Sequence, residues 1–141
     1  MNLRDYIEEV PDFPEKGVSF KDITPLLEDP EAFAHAARAL MDFTEGLKID
    51  KVVGIESRGY FFAPLLAFRL GAGFIPARKP GKLPRKTRSQ RYDLEYGNDA
   101  LEIHEASISK GDRVLIHDDV LATGGTARAM CHLIENLGAH V

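Results

Sequence analysis

Cysteine is almost absent from this chain: Cys131 is the only one in 141 residues. No internal disulfide can form, which fits a reducing, cytoplasmic setting. Long apolar runs are missing too, and none approaches the ~20 residues that a membrane span needs. The stretch ahead of Asp5 has neither the basic start nor the apolar centre of a secretory leader. Positive charge is not in excess. With 18 Lys and Arg against 22 Asp and Glu, the formal net charge is −4, and the absence of a broad basic footprint argues against nucleic acid as a partner. Repeats and low-complexity segments are lacking, as are the G-x-x-x-x-G-K-[ST] of a P-loop and the G-x-G-x-x-G of a dinucleotide fold. A chain with 44% apolar and 28% charged residues is expected to be a soluble globular domain. Its length fits one domain, 1–141, with a modest but adequate core.

Helices and strands alternate. Asp29 before Pro30 and Glu31 marks a helix start, Phe33, Ala37, Leu40 and Met41 repeat at helical spacing, and Gly46 offers a stop. Strand Lys51–Ile55 follows. A second helix is predicted over 59–70, apolar nearly all round and therefore well buried, and then a strand over 74–77. Segments 89–96 and 100–108 read as a hairpin around Gly97-Asn98-Asp99. A strand over 113–117 and a helix over 125–137 complete the chain, with Gly138 as stop. Such an order, with apolar strands, predicts an α/β fold: a parallel, doubly wound sheet covered on both faces. Residues 12–27 are proline-punctuated and predict an irregular flap with one short helix at most. Gly138-Ala139-His140-Val141 reads as the entry to another strand, so the sheet is expected to be truncated at its C-terminal end.

Chemistry concentrates at the carboxyl ends of the predicted strands. After Val114-Leu115-Ile116 come the adjacent carboxylates Asp118 and Asp119, then the small-residue loop Ala122, Thr123, Gly124, Gly125 and Thr126 opening a helix. Two adjacent acids suit a diol or a hard cation. A loop rich in N–H and hydroxyl donors at a helix N-terminus suits a phosphate. Glu56-Ser57-Arg58-Gly59 follows the Lys51–Ile55 strand, and Arg78-Lys79-Pro80-Gly81-Lys82 follows the next. In an open parallel sheet all three segments meet in one crevice. From Arg78 to Arg91 the chain carries a run of cations in an otherwise acidic protein, as expected of a mobile loop, about 82–97, closing over an anion. His117 reads as a packed histidine, whose charged form the neighbouring carboxylates would favour if they lie close.

These residues resemble the phosphoribosyl pyrophosphate (PRPP) signature of the type I phosphoribosyltransferases, and other segments resemble the adenine-specific members. The resemblance implies that Asp118 and Asp119 hold the ribose hydroxyls, directly or through Mg²⁺, while residues 122–126 wrap the 5′-phosphate. Ser57, Arg58 and Gly59, with Arg78, Lys79 and Lys82 of an R-K-x-G-K-L-P pattern, would bind pyrophosphate. A cis peptide is expected at Glu56–Ser57. Within Tyr92-Asp93-Leu94-Glu95-Tyr96-Gly97, Glu95 matches the catalytic glutamate and Tyr96 its neighbour on pyrophosphate. Phe20 would stack on adenine with Ser19 beside it, in a base-binding hood spanning about 1–27, and Lys21 stands where the family has arginine. The implied enzyme is a Mg²⁺-dependent, cytoplasmic homodimer making AMP from adenine and PRPP, without nucleic-acid or membrane partners. A PRPP- or nucleotide-sensing regulator on the same fold and an inactive fragment are the alternatives.

Overall fold

The structure is a computed structural model that describes residues 1–94 and 97–141. It divides into two compact units, Met1–Glu45 and Gly46–Val141.

In the first unit, strand β1 (Glu8–Val10) pairs antiparallel with β2 (Phe20–Asp22), placing Glu9 opposite Lys21 and Val10 opposite Phe20. Between them Asp12 takes a φ of 54° and accepts the Gly17 N–H at 2.8 Å, and Phe13–Pro14 is cis. An irregular flap was expected over this segment; the hairpin went undetected because three-residue strands are too short to show a period. Helix α1 (Thr24–Glu28) follows, then α2 (Pro30–Phe43). The Asp29 carboxylate caps α2 by accepting the N–H groups of Glu31 at 3.0 Å and Ala32 at 2.8 Å, with proline at the first helical position. Ala32, Ala36 and Ala37 form its buried side.

The second unit is built on strand β3 (Lys51–Ile55), buried on both faces. Strand β4 (Gly73–Ala77) pairs parallel along one edge and, further along the chain, a later strand (Val114–His117) along the other. Val53 and Ile55 point to one face, where they meet Met130, Leu133 and Ile134 of the last helix (Gly125–Asn136) in the main core cluster. The opposite face, through Gly54, receives helix α3 (Ala63–Leu70). The sheet is thus parallel and covered on both faces. Between β4 and the last strand lies an antiparallel hairpin, β5 (Thr87–Asp93) and β6 (Asn98–His104), whose Leu101 and Ile103 are fully buried in that core. The two remaining elements are accordingly β7 (Val114–His117) and α4 (Gly125–Asn136).

Two boundaries differ from expectation. The hairpin was expected to turn at residues 97–99, but Asn98 and Asp99 are strand residues paired with Asp93 and Tyr92, and residues 105–107 form a 3-10 turn instead of strand. Turn-prone side chains gave way to cross-strand pairing. The helix expected over 59–70 begins as a 3-10 turn, Arg58–Tyr60, and becomes α-helical at Ala63. Nor is it buried all round: Ala63, Leu66 and Ala67 face the sheet, while Phe68 is 89% exposed. Eight residues of helix laid on a sheet cover only one stripe.

That stripe sits close because Gly54 has no side chain. A Cβ there would lie 2.8 Å from Phe74 Cε2, 2.9 Å from Ala63 Cβ and 3.0 Å from the Gly59 carbonyl oxygen. Gly54→Ala is expected to lower unfolding stability by about 1–3 kcal/mol, read from the midpoint of a urea transition; an unchanged midpoint would show that α3 is free to shift.

Candidate active site

Because β3, β4 and β7 are parallel, their carboxyl ends share one edge, and a cavity of about 500 Å³ opens there. Glu56, Ser57 and Arg58 line it from β3, Lys79 from β4, Tyr92 and Leu101 from the hairpin, and residues 118–127 from the end of β7 and the start of α4. The Glu56–Ser57 peptide is cis, at the position the family resemblance indicated.

The loop between β7 and α4 ends at Gly124, which takes a φ of 82° and occupies the helix N-cap. Thr123 Oγ1 accepts the Gly125 N–H at 3.2 Å, shaping the approach to the helix. The first-turn N–H groups of α4 have no carbonyl of their own helix to bond, so the loop presents donors and a positive dipole end to the cavity. Ala122, Thr123, Gly124, Gly125 and Thr126 all border it.

Asp118 accepts the Asp119 N–H on Oδ1 at 2.9 Å. Burial pushes its carboxyl up to about 6, against the opposing pull of the Asp119 N–H and Arg58. The Asp119 side chain is only 4% exposed, with Oδ2 3.2 Å from Arg58 Nε. That buried oxygen accepts no hydrogen bond among the described residues, so it retains a lone pair for a ligand. Among the described residues no group of three or more His, Cys, Asp or Glu could hold a metal ion. Two hard carboxylates, one with an unsatisfied oxygen, do fit a Mg²⁺ ion shared with substrate oxygens and water, as that ion prefers. Neighbouring His117 is packed as expected, with its charged form expected to be favoured if the carboxylates lay close. Burial instead lowers its pKa and outweighs Asp119, leaving a neutral ring packed edge-on to Phe62 at 6.3 Å.

Glu56 was not singled out from the sequence, yet it organises the cationic wall. Its side chain, 11% exposed, accepts the Lys79 N–H at 2.8 Å, Lys82 Nζ at 2.7 Å and Arg78 Nε at 3.3 Å. Burial alone would raise its pKa, but these three partners more than offset it and hold the carboxylate ionised. The only sequence signal was an acid at a strand end followed by several cations. Lys79 reaches the cavity, where its ammonium bonds Asp99 and the Tyr92 hydroxyl, the latter at 3.0 Å. Burial disfavours that ammonium, but both partners prevail and raise its pKa. Tyr92 and Asp99 are cross-strand partners, a pairing that only the correct hairpin register reveals.

One cavity therefore gathers Ser57, Arg58, Lys79, Asp118, Asp119 and residues 122–126. Gly59 is not in its lining but fixes its geometry, since a Cβ there would lie 3.0 Å from the His117 carbonyl oxygen and 3.4 Å from Asp118 Oδ1. Arg78 and Lys82 do not border the cavity and stand on Glu56 instead. Ser19, Phe20 and Lys21 belong to the first unit, where Glu9 accepts both the Ser19 hydroxyl and Lys21 Nζ, the latter at 2.7 Å, and Phe20 meets Phe13 edge-on at 5.1 Å. Glu95 and Tyr96 lie outside the described residues.

The phosphoribosyl transferase domain pattern matches residues 22–141. An adenine phosphoribosyltransferase of Christiangramia forsetii is 63% identical over 141 residues, covering 100% of this chain and 82% of that relative. The chain belongs to the adenine phosphoribosyltransferase family. Among solved structures, the adenine phosphoribosyltransferase of Thermoanaerobacter pseudethanolicus superimposes with a TM-score of 0.95 at 52% identity, covering 99% of this chain and 81% of that one. The Saccharomyces cerevisiae enzyme, crystallised with an imino-altritol bisphosphate and adenine, gives 0.90 at 41% identity, covering 99% and 81%. The parallel sheet with its helices is the type I phosphoribosyltransferase fold of this family. Among the described residues no helix is long and apolar enough to cross a membrane.

Proposed function

We propose that this chain transfers the 5-phosphoribosyl group of PRPP to adenine, giving AMP and pyrophosphate in purine salvage. The observation that carries the reading is the order of charge around one cavity: a donor loop at a helix N-terminus, then two carboxylates, then cations. PRPP has the complementary order, with a 5′-phosphate, a ribose diol and a pyrophosphate. In this assignment residues 122–126 hold the phosphate, Asp118 and Asp119 the diol, and Ser57, Arg58, Gly59, Arg78, Lys79 and Lys82 the pyrophosphate, with Tyr96 beside it. Adenine as the acceptor is supported by the relatives, and the base is assigned to Ser19, Phe20 and Lys21. The Lys21 side chain is engaged by Glu9, so it would serve adenine through its main chain.

Breaking the bond to pyrophosphate builds oxocarbenium-like charge on the ribose, which the two carboxylates stabilise from close by. Glu95 would assist the incoming base. Mg²⁺, when bound with PRPP, would neutralise part of the leaving group's charge. The rest of the rate comes from holding two substrates in line within a walled site. A homodimer in the cytoplasm completes the proposal.

The test is to incubate the purified chain with PRPP and Mg²⁺ and, in separate reactions, adenine, hypoxanthine, guanine or orotate. AMP from adenine alone is the expected result. Nucleotide from another base would overturn the acceptor assignment, and tight PRPP binding without product would point to a sensor instead of an enzyme.

A further inference from the structure

The cations assigned to pyrophosphate already have carboxylate partners in this structure: Arg58 has Asp119, Lys79 has Asp99, and Arg78 and Lys82 share Glu56. These pairs differ in where the acid stands. Lys79 lines the cavity and Asp99 does not, so that acid braces its lysine from behind. At Glu56 the order is reversed. The carboxylate borders the cavity, while Arg78 and Lys82 do not.

A pyrophosphate entering at this wall would therefore meet an anion ahead of the two cations that are to bind it. Two like-charged groups brought together in a partly enclosed site repel strongly. The contact becomes favourable only when Arg78 and Lys82 leave the carboxylate for the phosphate oxygens. We propose that Glu56 is an internal counter-ion that exchanges these two cations with pyrophosphate, holding them while the site is empty and reclaiming them when the product leaves. The proposal rests on the reading above that pyrophosphate lies at this wall. It adds a residue that limits product affinity and so favours release.

The effect of deleting the Glu56 charge, measured with and without Lys82, decides between exchange and a simple brace. Under exchange, the Glu56 ion pairs stabilise only the empty protein, so removing them lowers the stability of that state and tightens pyrophosphate binding. If the pairs persisted in the complex, removing the Glu56 charge would relieve the same repulsion whether or not Lys82 is present. Glu56→Gln keeps the size and an acceptor for the Lys79 N–H while deleting the charge. Titrating magnesium pyrophosphate into the full chain by calorimetry, the expected result is a Kd lower by about fivefold or more in Glu56→Gln than in wild type. The gain should shrink when Lys82→Met is added, because one of the two exchanged cations is then gone, and a gain of the same size in both backgrounds overturns the proposal. A higher Kd in Glu56→Gln overturns the proposal and leaves the PRPP site standing. No pyrophosphate binding by the wild type overturns the site itself, and the exchange with it. Should Glu56→Gln not fold, a crystal structure of the wild type with magnesium pyrophosphate decides: exchange requires the Lys82 Nζ to Glu56 Oε2 contact, 2.7 Å in the empty protein, to be broken. An intact contact there overturns it.

Discussion

Replacing Asp118 and Asp119 together by asparagine is expected to leave a folded protein whose turnover falls by about a thousandfold. Asparagine preserves shape and one acceptor oxygen per side chain but removes both negative charges. Those charges matter most when the ribose carbon becomes cation-like, so kcat should fall further than the KM for PRPP rises. The fold tolerates the change because neither carboxylate holds it together. Asp118 works against the unliganded state. A carboxyl whose folded pKa lies above its unfolded value stabilises the fold fully below the unfolded value, here 3.8, and loses that contribution as pH rises through about 6. At neutral pH the ionised group is therefore unfavourable in the empty protein. One pKa unit corresponds to about 1.4 kcal/mol, and solvent reaching this half-buried group screens much of the effect, so Asp118→Asn alone should gain about 1 kcal/mol. Adding Asp119→Asn removes the Arg58 pair and brings the double variant back near wild-type stability. Steady-state kinetics with thermal melts would check both halves. Near-normal turnover in the double variant would remove the ribose assignment, and a destabilised Asp118→Asn would show that the carboxylate is structural.

The parallel sheet was legible because each of its strands is a short apolar run ended by charged or small residues, as in Lys51–Ile55 before Glu56 and Val114–His117 before Asp118. Strand direction then brings the polar ends together without any knowledge of a family. What stayed hidden depends on distance in space. Glu56 meets Lys82 across 26 residues of chain, and no local pattern announces that contact. Tyr92 and Asp99 meet at Lys79 only in the observed register, which the turn-like look of Asn98 and Asp99 obscured. The packing of His117 was legible, but its charge was not, for a related reason. Its neighbouring carboxylates are visible in the sequence, whereas the burial that outweighs them is a property of the packed unit. Glu95 was assigned through the resemblance, since an acid near a hairpin turn is by itself an ordinary surface residue.

Gly59→Ala should cost activity out of proportion to stability. Gly59 lies in the 3-10 turn that carries Arg58, and the turn packs against the end of β7 where the absent side chain leaves room. A Cβ would stand 3.0 Å from the His117 carbonyl oxygen and 3.4 Å from Asp118 Oδ1. Both are parts of the wall that faces substrate, and the carbonyl belongs to a strand paired with β3, so it cannot retreat freely. The turn must move instead. It carries Ser57 and Arg58 with it, away from Asp118 and Asp119 and from their place on the cavity. Relief needs a shift of only a few tenths of an ångström at the turn, which limits the stability loss to about 1–2 kcal/mol. A group misplaced by about 1 Å can nonetheless cost a hundredfold in rate. The expected kinetics are a kcat/KM for PRPP lower by about ten- to a hundredfold with the KM for adenine nearly unchanged, because the base is assigned elsewhere. Asp118 should respond as well. A methyl group beside Oδ1 strips water from a carboxyl already raised by burial, so the pH at which activity appears should move upward in the variant. Equal losses for both substrates would mean that the alanine disturbs the whole fold, and an unchanged kcat/KM would show that the close approach of this turn to β7 does not position the cations for catalysis.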